Sequence, residues 1–491
     1  MRRIDVHFSS ARVKLDGRIA GKLSGMSAEA RTLSARPIAR PRTAGAVAPR
    51  VLLLTSKLGA GHSRAAEAIE LAILARAPAA QVRTLDLWSL MHANVADTVR
   101  QTYLRLVQEH PDLYERIYQL DERTWRRIFD GDEAPPPQLT EGLKRITAIF
   151  ADGAGLVPHV GRPYALDCAL LPLLCSAIPG GARTLPWNDA RVRLPLLKWI
   201  WARLARRLER RVRVFRPDVV IGTQMIPAAL LSTVKARRRL AVPSIGVPTD
   251  FGVHDFWLQP GTDAYCVAHA AIPGVPRSSA AQVLTTGVPL MPGFVQPPTP
   301  SEARLALGLD PVRPIVLVLG GGLGLGVAAV AEQLLPKRPD ADLVLVTGHN
   351  RPAHIALGSR AAEHAGRLHV FGWTARMEYF IRAADIVVGK PGGLTVAEVL
   401  ACGRPLLAAR SLGGQEGFNA RFLEQHDVGR LVPEEELPAC VDAWLGSGVR
   451  LERLKQCAWA VGIRDGAAKV AEVALDYAHA FEVDTANREP A

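Results

Sequence analysis

The sequence predicts an α/β fold built from two doubly wound Rossmann-like domains that face each other across a cleft. Three observations indicate this class. Short apolar runs alternate with helix-length segments in both halves of the chain, glycine-bearing loops follow several of these runs, and a proline-rich stretch separates the two series. Buried parallel strands have continuous apolar sequences, and ligands bind beyond their carboxyl ends. With 491 residues, of which 48% are hydrophobic and 22% charged, the chain is long enough for two such cores.

The first 48 residues are predicted to be a basic, disordered arm. Residues 1–50 hold eleven Lys or Arg residues against three acidic ones, and the whole chain carries a net charge of +13. The arm lacks the apolar core of a secretion signal. Three interpretations stay open: a transit-like segment, a membrane-attracted tail, and upstream sequence translated from an early start codon. Six cysteines without CxxC spacing indicate packing thiols rather than zinc ligands or disulfides.

The first α/β series predicts an N-terminal domain over residues 49–290. Its predicted strands lie at 51–55, 82–87, 218–222 and 243–247, and its predicted helices at 64–77 and 228–237. A loop at 56–63 connects the first strand to the first helix. This strand, glycine loop and helix make up half of a βαβ unit.

A basic helical segment at about 130–215 interrupts this domain. Its last part, residues 191–216, contains ten Lys or Arg residues against Glu209, with apolar residues three or four positions apart. A basic amphipathic helix with Trp199 and Trp201 on its apolar face is typical of membrane-surface binding. The alternatives are a core helix with a solvated basic face and a nucleic-acid-binding helix. No run of 18 apolar residues occurs, so membrane contact is expected to be peripheral.

The second α/β series follows a proline-rich linker at 291–312, which suits a stiff connector, and predicts a C-terminal domain over residues 313–491. Its five predicted strands lie at 315–319, 343–346, 368–371, 386–388 and 406–408. Three of them precede glycine-bearing loops, at 320–326, 389–393 and 413–417. Two acid-x-acid triplets, at 130–132 and 340–342, are interpreted as solvated turns, so no metal site is predicted.

The segment after the strand at 386–388 is the strongest candidate for phosphate binding. Gly392 and Gly393 permit close backbone approach at the start of a helix, where N–H groups and the helix dipole favour anions. Thr395 and Glu398 fall three positions apart on that helix, so both can face one ligand, and the carboxylate can accept hydrogen bonds from ribose hydroxyls. An ordinary helix start is the alternative.

Two strand ends in the first half carry candidate acid–base groups. His62 follows the first strand within a Gly-Ala-Gly-His sequence, and an imidazole there could remove a proton from a hydroxyl. Asp250 follows the strand at 243–247, close to His254 and Trp257. A surface histidine and a turn with buried aromatic residues are the alternatives.

These pieces, taken in order, resemble the bacterial and plastid diacylglycerol glycosyltransferases, the family of monogalactosyldiacylglycerol synthase and the processive diacylglycerol glucosyltransferases. The resemblance covers about residues 51–111 and 216–431. It is carried by these sequence blocks: Gly59-Ala60-Gly61-His62, Leu85-Asp86-Leu87-Trp88, Pro248-Thr249-Asp250-Phe251, Thr286-Gly287-Val288-Pro289, Gly320-Gly321-Gly322, Phe371-Gly372-Trp373, Lys390-Pro391-Gly392-Gly393-Leu394-Thr395, and Gly414-Gln415-Glu416 with Asn419. The basic segment at 130–215 does not match the family pattern.

The resemblance implies a GT-B fold and an inverting transfer from a UDP-sugar without a catalytic metal or other cofactor. On the acceptor side it implies His62 and Asp250 as catalytic residues, with either as the base, and Gly61, His254 and Trp257 near the acceptor. The implied donor-binding residues are Gly321, Gly322, Phe371, Gly372, Trp373, Pro391, Gly392, Gly393, Thr395, Glu398, Gln415, Glu416 and Asn419. Among these, Phe371 to Trp373 would frame the uracil, and Gln415, Glu416 and Asn419 would face the donor sugar.

The implied partners are a UDP-sugar, diacylglycerol or a related lipid, and the anionic inner face of the cell membrane, reached from the cytoplasm; nucleic acid is not expected. One alternative is an N-acetylglucosaminyltransferase of the peptidoglycan-precursor type that acts on a polyprenyl-linked acceptor. A UDP-sugar epimerase and a non-catalytic membrane-binding module are two others. The donor hexose and the oligomeric state stay undetermined.

Overall fold

The protein is described by a computed structural model. The described residues are 48–57, 60–91, 190–238, 240–274, 281–335, 340–364, 366–409 and 415–486. Predictions for the arm at 1–47, for residues 92–189 and for the glycines at 413–414 lie outside them. Within the described residues, two parallel sheets of six strands each confirm the predicted α/β class with two doubly wound halves.

The first sheet has the strand order β2-β1-β3-β4-β5-β6. Its strands are β1 (Arg50–Thr55), β2 (Gln81–Asp86), β3 (Val219–Gly222), β4 (Ser244–Gly246), β5 (Ala264–Val267) and β6 (Gln282–Thr285). The helices of this half are α1 (Ala60–Arg76), α2 (Ala190–Phe215) and α3 (Met225–Arg238). Strand β1 shows why the apolar run folds this way, because Val51 and Leu53 enter one buried cluster while Leu52 and Leu54 enter another on the opposite face.

The second sheet has the order β12-β11-β10-β7-β8-β9. Its strands are β7 (Ile315–Leu319), β8 (Asp342–Val346), β9 (Leu368–Phe371), β10 (Ile386–Gly389), β11 (Leu406–Ala408) and β12 (Gly429–Leu431). The helices are α4 (Pro300–Leu307), α5 (Val327–Leu334), α6 (Arg351–Ala361), α7 (Met377–Ala383), α8 (Gly393–Ala401), α9 (Gln415–Gln425), α10 (Leu437–Leu445), α11 (Gly448–Val461) and α12 (Gly466–Ala486). Strand β7 is buried on both faces, as β1 is.

The connection between the halves differs from the predicted stiff linker at 291–312. Residues 300–307 form α4, whose start is stabilised by a capping box between Thr299 and Glu302. Phe294 and Ala303 are buried against the second core. Pro292 and Pro300 begin helical turns, because Pro is compatible with the first turn of a helix.

The last helix differs from the predicted boundary that assigned all residues after 312 to the C-terminal half. Helix α12 packs against α1 and β3 of the first half. Its small apolar residues Val470, Ala471 and Ala474 are fully buried in the same cluster as Val51 and Leu53 of β1. The last described helix therefore packs on the sheet with which the described residues begin.

From Trp201 onward, the apolar face of α2 is buried inside the protein, which corrects the predicted membrane contact for that part of the helix. Trp201, Leu204, Leu208 and Val212 pack with β1 and α3 in one core cluster, and the Trp201 indole N–H donates a 3.0 Å hydrogen bond to Thr233. The core-helix alternative therefore describes this face of the helix.

The opposite face of α2 is basic, as the sequence predicted. Arg206, Arg210 and Arg211 are exposed on it. The side chains of residues 190–200, including Trp199, lie outside the description. Across the residues that the structure describes, none of the helices combines the length and the apolar character that crossing a membrane requires.

Candidate active site

His62 lies in the first turn of α1, directly beyond the carboxyl end of β1. The helix begins at Ala60, four residues before the predicted helix start at 64, so His62 is held by helical backbone rather than by a loop. Its Nδ1 lies 3.2 Å from Thr249 Oγ1, and its carbonyl accepts a hydrogen bond from Thr223 Oγ1. Burial lowers the pKa of His62 to about 4, although a backbone hydrogen bond at Thr223 opposes the shift. The imidazole is therefore neutral at pH 7 and able to accept a proton.

Asp250 follows β4 and reaches the opposite half of the molecule. Its carboxylate accepts hydrogen bonds from the Asn419 side-chain amide, at 2.9 Å, and from the backbone N–H of Gly393 at the start of α8. Burial raises the pKa of Asp250 to about 6; these two hydrogen bonds oppose the shift and the negative charge of Glu416 adds to it. Asp250 is therefore mostly ionised at neutral pH, at the positive end of the α8 dipole.

The contact at Gly393 is close enough to require glycine. A β-carbon there would overlap the carbonyl oxygen of Thr249 and lie 2.6 Å from Asp250 Oδ1. A β-carbon on Gly61, in the first turn of α1, would lie 3.6 Å from the β-carbon of Leu394. The starts of α1 and α8 therefore meet across the boundary between the two halves.

The glycine loop at 320–326 reaches the same place. Gly321 and Gly324 adopt φ values of 63°, a left-handed conformation that favours glycine. The Gly322 carbonyl accepts a 3.0 Å hydrogen bond from the N–H of His349. A β-carbon on Gly322 would lie 3.0 Å from that of Ala60, so the loop lies against the start of α1. The loop follows β7 directly, as the sequence predicted.

Thr395 and Glu398 lie on the first turns of α8, as the sequence predicted. Both side chains are half-buried. Burial raises the pKa of Glu398 to about 8, the charge of Arg64 on α1 opposes this shift, and Glu378 adds to it. Without a ligand, Glu398 is therefore mostly protonated at neutral pH. A carboxyl in this state is expected to ionise when hydroxyl groups donate hydrogen bonds to it.

The aromatic residues after β9 have different environments. Trp373 is 54% exposed, and its ring stacks on His349 at 5.6 Å between centroids with an interplanar angle of 14°. Phe371 is half-buried and contacts Phe380 edge-on at 4.8 Å. The ring of Trp373 is therefore more accessible to a nucleobase than the ring of Phe371. Sequence reasoning missed His349, although it follows Gly348 at a strand end, the pattern that identified the other site loops.

Two of the three residues predicted to face the donor sugar form ion pairs or hydrogen bonds with other residues of the protein. Glu416 is buried and forms a 3.0 Å ion pair with Lys390. Asn419 is fully buried, and its side chain hydrogen-bonds to Asp250, Phe251 and Pro391. In this arrangement Asn419 joins the two halves instead of facing the cleft, which corrects the role expected for it. Gln415 is half-buried at the start of α9.

Two predicted acceptor residues have structural roles. The His254 Nδ1 accepts a 3.1 Å hydrogen bond from the N–H of Phe256 and so caps a short 3-10 helix. Trp257 is only 5% exposed and packs with Tyr265 in the core, which corrects its expected contact with the acceptor. From its sequence position alone, an aromatic residue next to a turn can either line a binding site or lie in the core. Packing against Tyr265 places Trp257 in the core.

The predicted groups that do come together form a single interdomain site. His62 and Asp250 from the first half lie beside the glycine loop at 320–326 and the N-terminus of α8, with Glu398 one turn farther along that helix. A neutral imidazole and two carboxyl groups thus border a cluster of backbone N–H groups. Such a site can remove a proton from a hydroxyl and stabilise a departing phosphate.

Comparisons with known proteins agree with this description. Residues 193–289 match the family model for monogalactosyldiacylglycerol (MGDG) synthase, and residues 315–457 match the glycosyltransferase family 28 C-terminal domain. The chain is similar to the processive diacylglycerol beta-glucosyltransferase of Bacillus cereus (strain B4264), with 24% identity over 440 residues that cover 88% of this chain and 95% of that protein. The enzyme of the same name from Bacillus subtilis (strain 168) is 28% identical over 260 residues, covering 51% of this chain and 66% of that one.

Among solved structures, MurG from Acinetobacter baumannii aligns with a TM-score of 0.51 and 14% identity, over 88% of this chain and 100% of that chain. This likeness concerns the fold, and together with the two parallel sheets it confirms the GT-B arrangement. The two family matches and the relatives confirm the resemblance to the diacylglycerol glycosyltransferases that the sequence motifs indicated.

Proposed function

We propose that the chain is a glycosyltransferase that moves a hexose from a UDP-sugar to a hydroxyl of diacylglycerol, with inversion at the anomeric carbon. One observation carries the proposal: the first turn of α1, which contains His62, meets the glycine loop and the N-terminus of α8 from the second half. The activity of the two Bacillus relatives, as their names give it, supports the choice of diacylglycerol as the acceptor.

The proposed reaction is a single displacement. The acceptor oxygen bonds to the anomeric carbon as the bond from that carbon to the phosphate oxygen breaks, and UDP departs with the electron pair. His62 is the proposed base, because it is neutral at pH 7 and Thr249 can fix the orientation of its ring. Asp250 orients the surrounding segment in this scheme, since its carboxylate is already hydrogen-bonded to Gly393 and Asn419.

Charge on the leaving UDP would be stabilised by backbone N–H groups. The first turn of a helix has N–H groups without partners in the helix. Asp250 accepts that of Gly393, so those of Leu394 and Thr395, together with the glycine loop at 320–326, are the proposed phosphate contacts. Glu398 would accept hydrogen bonds from the ribose, and Trp373 would lie against the uracil.

The proposed acceptor lies in a bilayer, so the protein must reach a membrane surface. The exposed arginines of α2 provide a basic face that can attract anionic lipid, each contributing about 1 kcal/mol near such a surface. The apolar side chains that the same helix places in the core, from Trp201 to Val212, are not available for insertion. Attachment through α2 in this scheme is therefore electrostatic.

The experiment that tests the function combines purified protein, labelled UDP-glucose or UDP-galactose, and one of three acceptor conditions. These are vesicles with diacylglycerol, vesicles with a polyprenyl-linked amino sugar, and buffer alone. Hexosyl-diacylglycerol in the first condition alone is the expected result. Transfer only to the polyprenyl-linked acceptor, or conversion of the donor without any acceptor, would replace the proposal with the corresponding alternative.

A further inference from the structure

Asn419 is a buried side chain whose polar atoms all contact the protein. Its Oδ1 accepts a 2.7 Å hydrogen bond from the N–H of Phe251, and its Nδ2 donates at 2.9 Å both to Asp250 Oδ1 and to the Pro391 carbonyl. The first two partners belong to the first half of the protein, and Pro391 lies two residues before the start of α8 in the second. One amide therefore ties α9 to the segment after β4 and to the start of the predicted phosphate-binding helix.

Two aromatic neighbours on α9 strengthen the same contact. Phe418 packs so closely on Gly252 that a β-carbon on the glycine would lie 2.7 Å from the Phe418 β-carbon. Phe422 packs on Phe251, with 4.3 Å between the ring centroids. Residues 250–252 are thus held along one face of α9.

The segment held by α9 also holds the candidate base. Thr249 is the residue before Asp250, and its hydroxyl lies 3.2 Å from Nδ1 of His62. A displacement of residues 250–251 would therefore move the group that orients the imidazole. The path from Asn419 to His62 consists of two hydrogen bonds and two consecutive peptide units.

We infer that Asn419 is a positioning residue for the transfer, which sets the orientation of His62 by holding residues 249–251 against α9. This inference rests on the proposed function. It differs from the role implied by the family resemblance, in which Asn419 faces the donor sugar. The orientation of the Asn419 side chain agrees with this role. Its Oδ1 accepts from a backbone N–H, and its Nδ2 donates to a carboxylate and to a carbonyl.

Two substitutions separate positioning from sugar contact. Asn419→Ala removes all three hydrogen bonds. Asn419→Asp has nearly the same shape and keeps an acceptor for the Phe251 N–H, but it turns an oxygen toward both Asp250 and the Pro391 carbonyl. Gln425→Ala, at an exposed position on the same helix, is the matched control.

We expect both Asn419 variants to lower kcat by about 10–100-fold, the scale of losing a buried hydrogen bond to a charged group, and to change the donor KM by less than about threefold. The acidic limb of the kcat–pH profile should move to higher pH, because the Asn419 amide lowers the pKa of Asp250 while Glu416 raises it. Gln425→Ala should match wild type in all three quantities. Circular dichroism confirms that each variant is folded.

Hydrogen exchange provides a readout that does not require transfer. The Phe251 amide should exchange faster in Asn419→Ala than in wild type, whereas Asn419→Asp should retain most of its protection. Unchanged Phe251 exchange in Asn419→Ala would overturn the inference, and so would a raised donor KM with unchanged kcat. If wild type transfers no hexose, the proposed function fails, and the exchange result alone decides whether Asn419 holds this segment.

Discussion

Replacing Gly393 with Ala tests whether the close contact between the two halves is needed for activity. The added methyl would overlap the Thr249 carbonyl oxygen and lie 2.6 Å from Asp250 Oδ1 and 2.9 Å from Asp250 Cα. Two of these obstacles are backbone atoms, so rotation of a side chain cannot relieve the overlap. The start of α8 and the segment holding Asp250 must therefore move apart.

The magnitude follows from the cost of overpacking. Inserting a methyl into a well-packed site costs about 1–3 kcal/mol. If that cost falls only on the arrangement in which the start of α8 contacts residues 249–250, the equilibrium constant for forming it decreases by about 5–150-fold, since about 1.4 kcal/mol corresponds to a factor of ten. Ala is acceptable at the start of a helix, so α8 itself should form normally.

The assay measures the hexosyl transfer rate together with the radius of gyration from small-angle X-ray scattering. We expect Gly393→Ala to lose at least about fivefold in rate and to have a larger radius of gyration. Gly358→Ala is the matched control, because Gly358 lies in helix α6 and a β-carbon there would meet nothing within 4 Å. If Gly393→Ala has the transfer rate and the radius of gyration of wild type, the contact between α8 and residues 249–250 is not needed for activity.

Three further predictions concern donor binding, the base and membrane attachment. UDP affinity should rise about tenfold between pH 7 and pH 9, because the ribose is expected to bind ionised Glu398, whose pKa is raised to about 8. Calorimetry at pH 7 should show that UDP binding releases a proton. The Glu398→Gln variant should lose this pH dependence. His62→Ala should lower kcat by about 10²–10⁴-fold with UDP affinity unchanged, and near-normal turnover would assign the base to Asp250. Replacing Arg206 and Arg210 with Gln should weaken binding to anionic but not neutral vesicles at 0.1 M salt, by about 1 kcal/mol per charge; equal sedimentation of both proteins would contradict this.

Nine of the twelve described strands were predictable from short apolar runs in the sequence, whereas β5, β6 and β12 were not predicted. The runs at β1 and β7 fill cores on both faces of a sheet. Strand β5 has four residues that include Tyr265 and Cys266, so it lacks an aliphatic run. Strands β6 and β12 lie at sheet edges, where polar residues are tolerated, and their sequences do not stand out from loops.

The loops of the site were predictable because glycines and polar residues follow buried strands. The contacts between loops were not, because they join residues far apart in the sequence. Asn419 and Phe251 are 168 positions apart, and His62 and Thr249 are 187 apart. Helix α2 illustrates a second limit, since an apolar stripe has the same spacing whether it faces a core or a membrane. The burial of Trp201 follows from its neighbours on α3.

The most direct test of the central claim is mass spectrometry of lipid extracts from cells that produce the protein, cells that lack it, and cells that produce the His62→Ala variant. We expect hexosyl-diacylglycerol only in cells with the unaltered protein, and the hexose released from that lipid identifies the donor sugar. Equal hexosyl-diacylglycerol in all three extracts, or a new glycolipid without a diacylglycerol backbone, would contradict it.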